Sequence, residues 1–244
     1  GSSEMFHGAV IGHDLRDDTR IFKEVTQVGD NLEHLQPALN AKAYPAKVAI
    51  VYDYDNMWAL SDVRNYASQT IKYWQTIQEH YQYFWEHDVP VEFISTSDEL
   101  IDYKLVIDPM HFMMTEAFAN KLKEYVAQGG TVVGTYITGQ VDERYLAYIG
   151  GWPQALHDIY GVEPIETDTL YPSQRVAIET GQASTQAHDY ATVLEVDQAT
   201  AIAKYTSEWY ADTAAITKNR YDNGQAYYVG ARFDSEFMAS FYDA

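Results

Sequence analysis

The chain has 244 residues, 46% apolar and 14% aromatic, enough to bury a sizeable core and to exclude general disorder. Sixteen Lys and Arg against 36 Asp and Glu leave a formal charge of −20, a surface that repels nucleic-acid phosphates and anionic lipid. There is no cysteine, which removes disulfides, thiolate metal sites and thiol nucleophiles together.

The N-terminal Gly1-Ser2-Ser3-Glu4-Met5-Phe6-His7 has no initiator methionine, basic region or apolar targeting core, and a helix predicted over Asp234 to Asp243 is followed by Ala244 alone. The chain therefore reads as a piece of something longer. No run in the sequence approaches the ~20 apolar residues of a membrane span. After a loop-like stretch over 1–17, Asp18 is expected to cap a helix with Ile21, Val25, Val28, Leu32 and Leu35 on one stripe, packed against a larger body. Pro37 and Pro45 bracket a linker, which divides the chain into units 1–44 and 45–244.

Beyond Pro45 the pattern changes. Lys47-Val48-Ala49-Ile50-Val51-Tyr52-Asp53 is a continuously apolar strand, and Ile71 to His87 a helix with Ile71, Trp74, Ile77, Tyr81, Phe84 and Trp85 at helical spacing. Val91–Ile94 and Leu105–Asp108 are further strands. A helix over Thr115 to Gln128 stops at Gly129-Gly130, and Thr131–Thr135 is a fourth strand. Such alternation predicts an α/β fold with a mostly parallel sheet and helices on both faces. Residues 140–200, with Arg175–Ile178 and Ala191–Val196, read as an inserted β excursion, and Ala226–Gly230 as a return to the main sheet. Ligands of such sheets gather beyond the strands' carboxyl ends, here Asp53, Asp108 and Tyr136.

The run from Tyr125 through Gly129-Gly130 to Thr135-Tyr136-Ile137-Thr138-Gly139 has the layout of a nucleophile elbow: helix, break, strand, tight glycine-flanked turn. It resembles the architecture of class I glutamine amidotransferases (flavodoxin-like), whose turn presents a cysteine. Here the turn offers only Thr135, Tyr136 and Thr138, and no Gly-x-Ser-x-Gly is present, so it reads as an emptied catalytic turn. Gly129-Gly130 and Gly150-Gly151 lack the spacing of phosphate-binding loops and read as a helix stop and a turn. No His-Glu-x-x-His motif occurs. His80 and His87, seven apart on one helix, lack a third ligand, and Glu79-His80 and Glu86-His87 read as solvated; no metal and no cofactor are expected. The segment Tyr52-Asp53-Tyr54-Asp55-Asn56-Met57-Trp58-Ala59-Leu60 is too aromatic for ordinary solvent. Two readings stand: Trp58 packs into its own domain, or it lies in a subunit interface.

Glu4-Met5-Phe6-His7-Gly8-Ala9-Val10 followed by Thr19-Arg20-Ile21-Phe22-Lys23-Glu24-Val25 resembles the loop and helix after the eighth barrel strand in glycoside hydrolase family 42, the β-galactosidases. The resemblance continues in Lys47–Asp53, Trp58-Ala59-Leu60, Gly129–Val133 and Tyr228-Val229-Gly230-Ala231-Arg232-Phe233, so it spans essentially the whole chain. It implies that 1–44 is the end of a (β/α)8 barrel. It also implies that 45–244 is an amidotransferase-like trimerisation domain of a bacterial, cytoplasmic enzyme that hydrolyses terminal β-D-galactosides with retention. The positions matching the family's galactosyl contacts are Glu4 and His7; its acid/base and nucleophile glutamates have no counterpart here. The implied partner is the chain itself, as a homotrimer, with a β-galactoside bound by the full-length parent and neither nucleic acid nor membrane. The rival reading is a free-standing small-ligand module using Asp53, Asp108 and Tyr136.

Overall fold

The computed structural model describes residues 10–39, 44–63, 72–181 and 184–243. Its contacts divide the chain into two units, Gly1–Tyr44 and Pro45–Ala244. In the first, helix α1 (Arg20–Leu39) carries the predicted stripe, but its cap is Thr19 rather than Asp18. The Phe22 amide donates to Thr19 Oγ1 at 3.2 Å, whereas Asp18 is engaged by the Arg16 guanidinium at 2.8 and 2.9 Å. A bidentate guanidinium outcompetes a backbone amide for a carboxylate, and threonine is itself a good cap. The helix also runs through Pro37 instead of stopping there. So close to the C-terminal end a proline removes a single backbone bond, and the last turn tolerates it.

The second unit opens with strand β1 (Val48–Val51), buried along its whole length. Helices α2 (Tyr54–Asp62) and α3 (Tyr73–Glu86) follow, then strands β2 (Val91–Ile94) and β3 (Leu105–Asp108), helix α4 (Glu116–Ala127) and strand β4 (Thr131–Thr135). Val48 pairs in parallel register with Val91 on one side and Leu105 on the other, and Leu105 pairs with Thr131. A short helix α5 (His157–Tyr160) leads into strands β5 (Val162–Thr169), β6 (Val176–Thr180), β7 (Ser184–Val196), β8 (Thr200–Tyr205) and β9 (Ala214–Tyr221), of which β6–β7 and β8–β9 pair as sequence neighbours while β5 pairs β7 and β8 pairs β6. Strand β10 (Gly224–Val229) lies parallel to β4, as the return to the main sheet requires; β11 (Ala231–Arg232) and α6 (Ser235–Asp243) close the chain.

Among the described residues these strands form one eleven-stranded sheet in the order β11-β7-β6-β8-β9-β10-β4-β3-β1-β2, with β5 beside β7. The expectation of a mostly parallel sheet is therefore wrong. Four pairings are parallel and seven antiparallel. The reason is local. The stretch read as an excursion is not set apart: its strands return on one another through short connections, which favour antiparallel pairing, and β9 joins them onto β10.

Alternation along β1 shows how the sheet is covered. Val48 and Ile50 pack into a core with α2, α3 and α6, while Ala49 and Val51 face α4 and α5. Burying each such aliphatic side chain contributes about 1.5–3 kcal/mol. Helix α4 is capped by Thr115, whose Oγ1 accepts from the Phe118 amide, and it ends at the predicted Gly-Gly stop. On α3 the buried row is Tyr73, Thr76, Ile77, His80 and Phe84, so the predicted stripe is displaced; Trp74 and Trp85 are 53% and 68% exposed. Ile71 lies outside the described residues. No helix among the described residues is long and apolar enough to cross a membrane.

One close approach carries a prediction. The Tyr160 ring lies over Gly134 of β4, where a methyl group would overlap the phenol. Gly134→Ala is expected to cost about 1–3 kcal/mol by overpacking, read as a lower thermal midpoint; an unchanged midpoint would contradict this packing.

Candidate interaction surface

At the carboxyl ends of the parallel strands, the three groups singled out in the sequence serve the fold. Asp53 caps α2, accepting from the Asn56 amide at 2.7 Å and from Thr96 Oγ1 at 3.2 Å. Asn56, fully buried, ties α2 to the end of β3 through Met110 O and the Met113 amide. Asp108 is buried and its Oδ1 meets His111 Nδ1 at 2.7 Å. Burial alone depresses His111, but the Asp108 carboxylate and, more distantly, Asp53 outweigh it and raise the imidazole above its ordinary value. Tyr136 is buried, stacked on Tyr190 at 5.2 Å, and burial pushes its phenol up. Asp108, engaged through Oδ1, and Tyr136 are thus enclosed away from solvent, which disfavours the free-standing ligand module.

The turn after β4 is strained in its backbone. Ile137 adopts φ 71°, a conformation that is an outlier for a β-branched residue, and Gly139 follows at φ 73°. The turn is fixed by Thr135 Oγ1 accepting from the Met110 amide at 2.8 Å and by the Gly139 amide donating to His111 O at 2.8 Å. The strained position carries an aliphatic side chain with no exposure, and Thr135, Tyr136 and Thr138 beside it are buried too. None of them can meet a substrate. Among the described residues no three His, Asp or Glu side chains are grouped to hold a metal ion. Glu4 and His7 lie outside the described residues.

The second unit exposes a cluster of aromatic side chains around α2. The segment after β1 folds as α2, and Trp58 is 61% exposed and Tyr54 60%, so Trp58 is not packed into its own domain. Tyr52 organises the patch: its ring meets Tyr54 edge-on at 5.0 Å, stacks on Tyr73 at 5.8 Å and meets Trp74 edge-on at 5.8 Å. Tyr54 and Trp58 stand 6.2 Å apart on α2. Clustered, half-exposed Trp and Tyr held by buried neighbours are what a contact surface requires, because they offer large rigid area with little side-chain entropy to lose.

Behind α3 lies a charge network that sequence reasoning did not find. Arg232 on β11 is only 2% exposed; it donates to Glu79 at 2.8 and 3.2 Å and to Asp189 at 3.2 Å. The signal available was a lone arginine in the apolar run Val229-Gly230-Ala231-Arg232-Phe233. His80 is buried rather than solvated, because its ring faces inward to Tyr242 of α6, with Nδ1 and the phenol oxygen 2.5 Å apart. Burial, with the Arg232 cation nearby, pushes His80 down to about 4. An imidazole that titrates at its ordinary value when unfolded and lower when folded stabilises the fold fully above pH ~6.5, and this contribution fades as pH falls toward 4. Its full size is on the order of 3 kcal/mol. His80→Gln should flatten urea-measured stability across that window; an unaltered pH profile would contradict the assignment.

Residues 46–244 match the family described as β-galactosidase trimerisation domain. Over its full length the chain is 46% identical to β-galactosidase GanA of Bacillus subtilis, and 35% identical to β-galactosidase Pbg of Clostridium perfringens. It covers 36% of each of those proteins, so it spans about a third of the length of the curated relatives it matches. Among solved structures, a catalytic mutant of Gan42B, a GH42 β-galactosidase from G. stearothermophilus, superposes with TM-score 0.83 at 47% identity, over 98% of this chain and 35% of that one. The β-galactosidase from Bacillus circulans sp. alkalophilus follows with TM-score 0.82 at 31% identity, over 97% of this chain and 36% of that one.

Proposed function

We propose, from the premise that the chain belongs to the family of β-galactosidase trimerisation domains across residues 46–244, that its working role is self-association as a homotrimer. The observation that carries this reading is the exposed aromatic patch of Tyr54, Trp58 and Trp74, organised by Tyr52 and seated on α2 and α3. A second copy of the chain is the occupant that the family's description supplies. The parallel half of the sheet, with its strained and chemically empty turn after β4, is read as an amidotransferase-like core kept for assembly.

By the same reading the reaction is retaining hydrolysis of terminal β-D-galactosides by the longer protein, in the bacterial cytoplasm. Residues 1–44 then supply the last loop and helix of its barrel, with Glu4 and His7 contacting the galactosyl unit. A carboxylate can accept from two sugar hydroxyls and an imidazole can donate or accept one bond, which fits both residues for that contact. The 244-residue chain alone is expected to give no turnover of an aryl β-galactoside, and turnover that survives purification would overturn that part of the reading.

Association itself is tested by its salt dependence. Copies that each carry −20 repel one another, and the Debye length falls to about 10 Å at 0.1 M salt. Sedimentation equilibrium is expected to show tighter association as ionic strength rises through that range. A chain that remains monomeric at every salt concentration contradicts the proposal.

A further inference from the structure

Two clefts lie side by side along the outward face of α3. One, of about 490 Å³, is lined by Gln75, Gln78, Glu79, Gln82, His188 and Asp234. The other, of about 380 Å³, is lined by Gln78, Tyr81, Gln82 and Trp85. Sharing Gln78 and Gln82, they form one groove, polar on one side and aromatic on the other. The helix repeat produces this division: residues 75, 78, 79 and 82 share a row, and 81 and 85 share the adjacent one.

The polar side is held in place from beneath. Arg232, itself 2% exposed, grips both carboxylate oxygens of Glu79 at 2.8 and 3.2 Å, which fixes the direction of that carboxylate while leaving lone pairs toward the groove. The Gln82 amide nitrogen donates to Glu86 at 2.7 Å, which fixes its plane and leaves the carbonyl oxygen as an acceptor. The aromatic side is Trp85, 68% exposed, braced against Tyr81 with ring centroids 6.1 Å apart.

The chemistry of these groups narrows the ligand class. An anion would meet Glu79 and Asp234 on a chain that carries −20 overall. An apolar molecule would leave the glutamine amides without partners. A neutral ring with hydroxyls on its edge and C–H bonds on its face satisfies both sides: hydroxyls exchange bonds with amides and carboxylate, and the C–H face lies on the electron-rich face of Trp85. The geometry points to a non-catalytic binding site for a neutral saccharide, in the volume range that holds small ligands. This groove is separate from the strand ends and begins at Gln75 of α3, the residue after Trp74 of the aromatic patch, and sugar binding to it is read independently of self-association.

Isothermal titration of the 244-residue protein with D-galactose and with lactose tests this site. Saturable binding with a Kd of about 1–10 mM is expected for a ligand of this size on an open groove. Trp85→Ala and Gln78→Ala should each weaken it about 3–10-fold, the loss of one ring contact or one hydrogen bond. Both side chains are exposed, so the thermal midpoint should stay in place. Absence of saturable heat with either sugar overturns the proposal. So does binding that both variants leave intact, because the sugar then sits elsewhere, for example at Glu4 and His7.

Discussion

Trp58→Ala will weaken self-association of the chain by about 10–100-fold, and adding Trp74→Ala will leave it monomeric at concentrations where the parent is assembled. The expectation rests on placement. Both rings stand more than half exposed on α2 and α3, yet both are braced through Tyr52, directly for Trp74 and by way of Tyr54 for Trp58. Anchors of this kind contribute on the order of 1.4–2.8 kcal/mol each, the equivalent of that change, when a partner excludes water from them. The same exposure means that truncation removes little from the fold of one copy, so circular dichroism and the thermal midpoint of the dilute protein should be preserved. A double variant that still assembles with the parent's affinity would move the interface to another face of the domain.

Arg232→Leu will have the largest effect on folding stability, about 3–5 kcal/mol. The guanidinium is buried between Glu79 and Asp189, whose side chains are 18% and 9% exposed. Removing it takes the shared cation from buried Asp189 and from Glu79 at the edge of the groove on α3, leaving Asp189 with Lys72 at 3.9 Å and His188 at 3.2 Å. The loss of their charge-assisted partner is the source of the cost. The cost should be strongly non-additive: neutralising the acids as well, in Arg232→Leu with Glu79→Gln and Asp189→Asn, is expected to recover part of the loss. Urea unfolding of the single and triple variants measures this. If the single variant loses less than about 1 kcal/mol, the network is not the structural tie between α3 and β11 described above.

These two predictions fall on features that differed in how far the sequence disclosed them. The aromatic segment after β1 was conspicuous because six of the nine residues Tyr52 to Leu60 are polar or aromatic in a place where a buried loop would be aliphatic. What the sequence could not decide was whether Trp58 faced inward. The answer depends on Asn56, whose buried amide pins α2 to Met110 and Met113 and so sets the helix phase. On α3 the phase was ambiguous for a related reason: aromatics occur on every side, so spacing alone favoured Trp74 and Trp85 where the fold buries Tyr73, Thr76 and His80. The Arg232 network joins residues 153 and 43 positions apart, distances at which no local pattern carries information.

The strands divide in the same way. β1, β3 and β4 are short unbroken apolar runs because helices cover both faces, and that signature is readable from composition alone. The antiparallel half was visible as β-rich but not as part of the same sheet, since its attachment is a single edge pairing, β9 on β10. Thr19 rather than Asp18 at the start of α1 shows the limit at finer scale, where a neighbouring arginine decides which of two good caps is used.

Self-association is the claim on which the functional account stands, and light scattering on the unaltered 244-residue chain addresses it without any substitution. At high protein concentration and ordinary salt the account predicts a particle of three copies of the 27.8 kDa chain. A single-copy mass that persists at every concentration would contradict it.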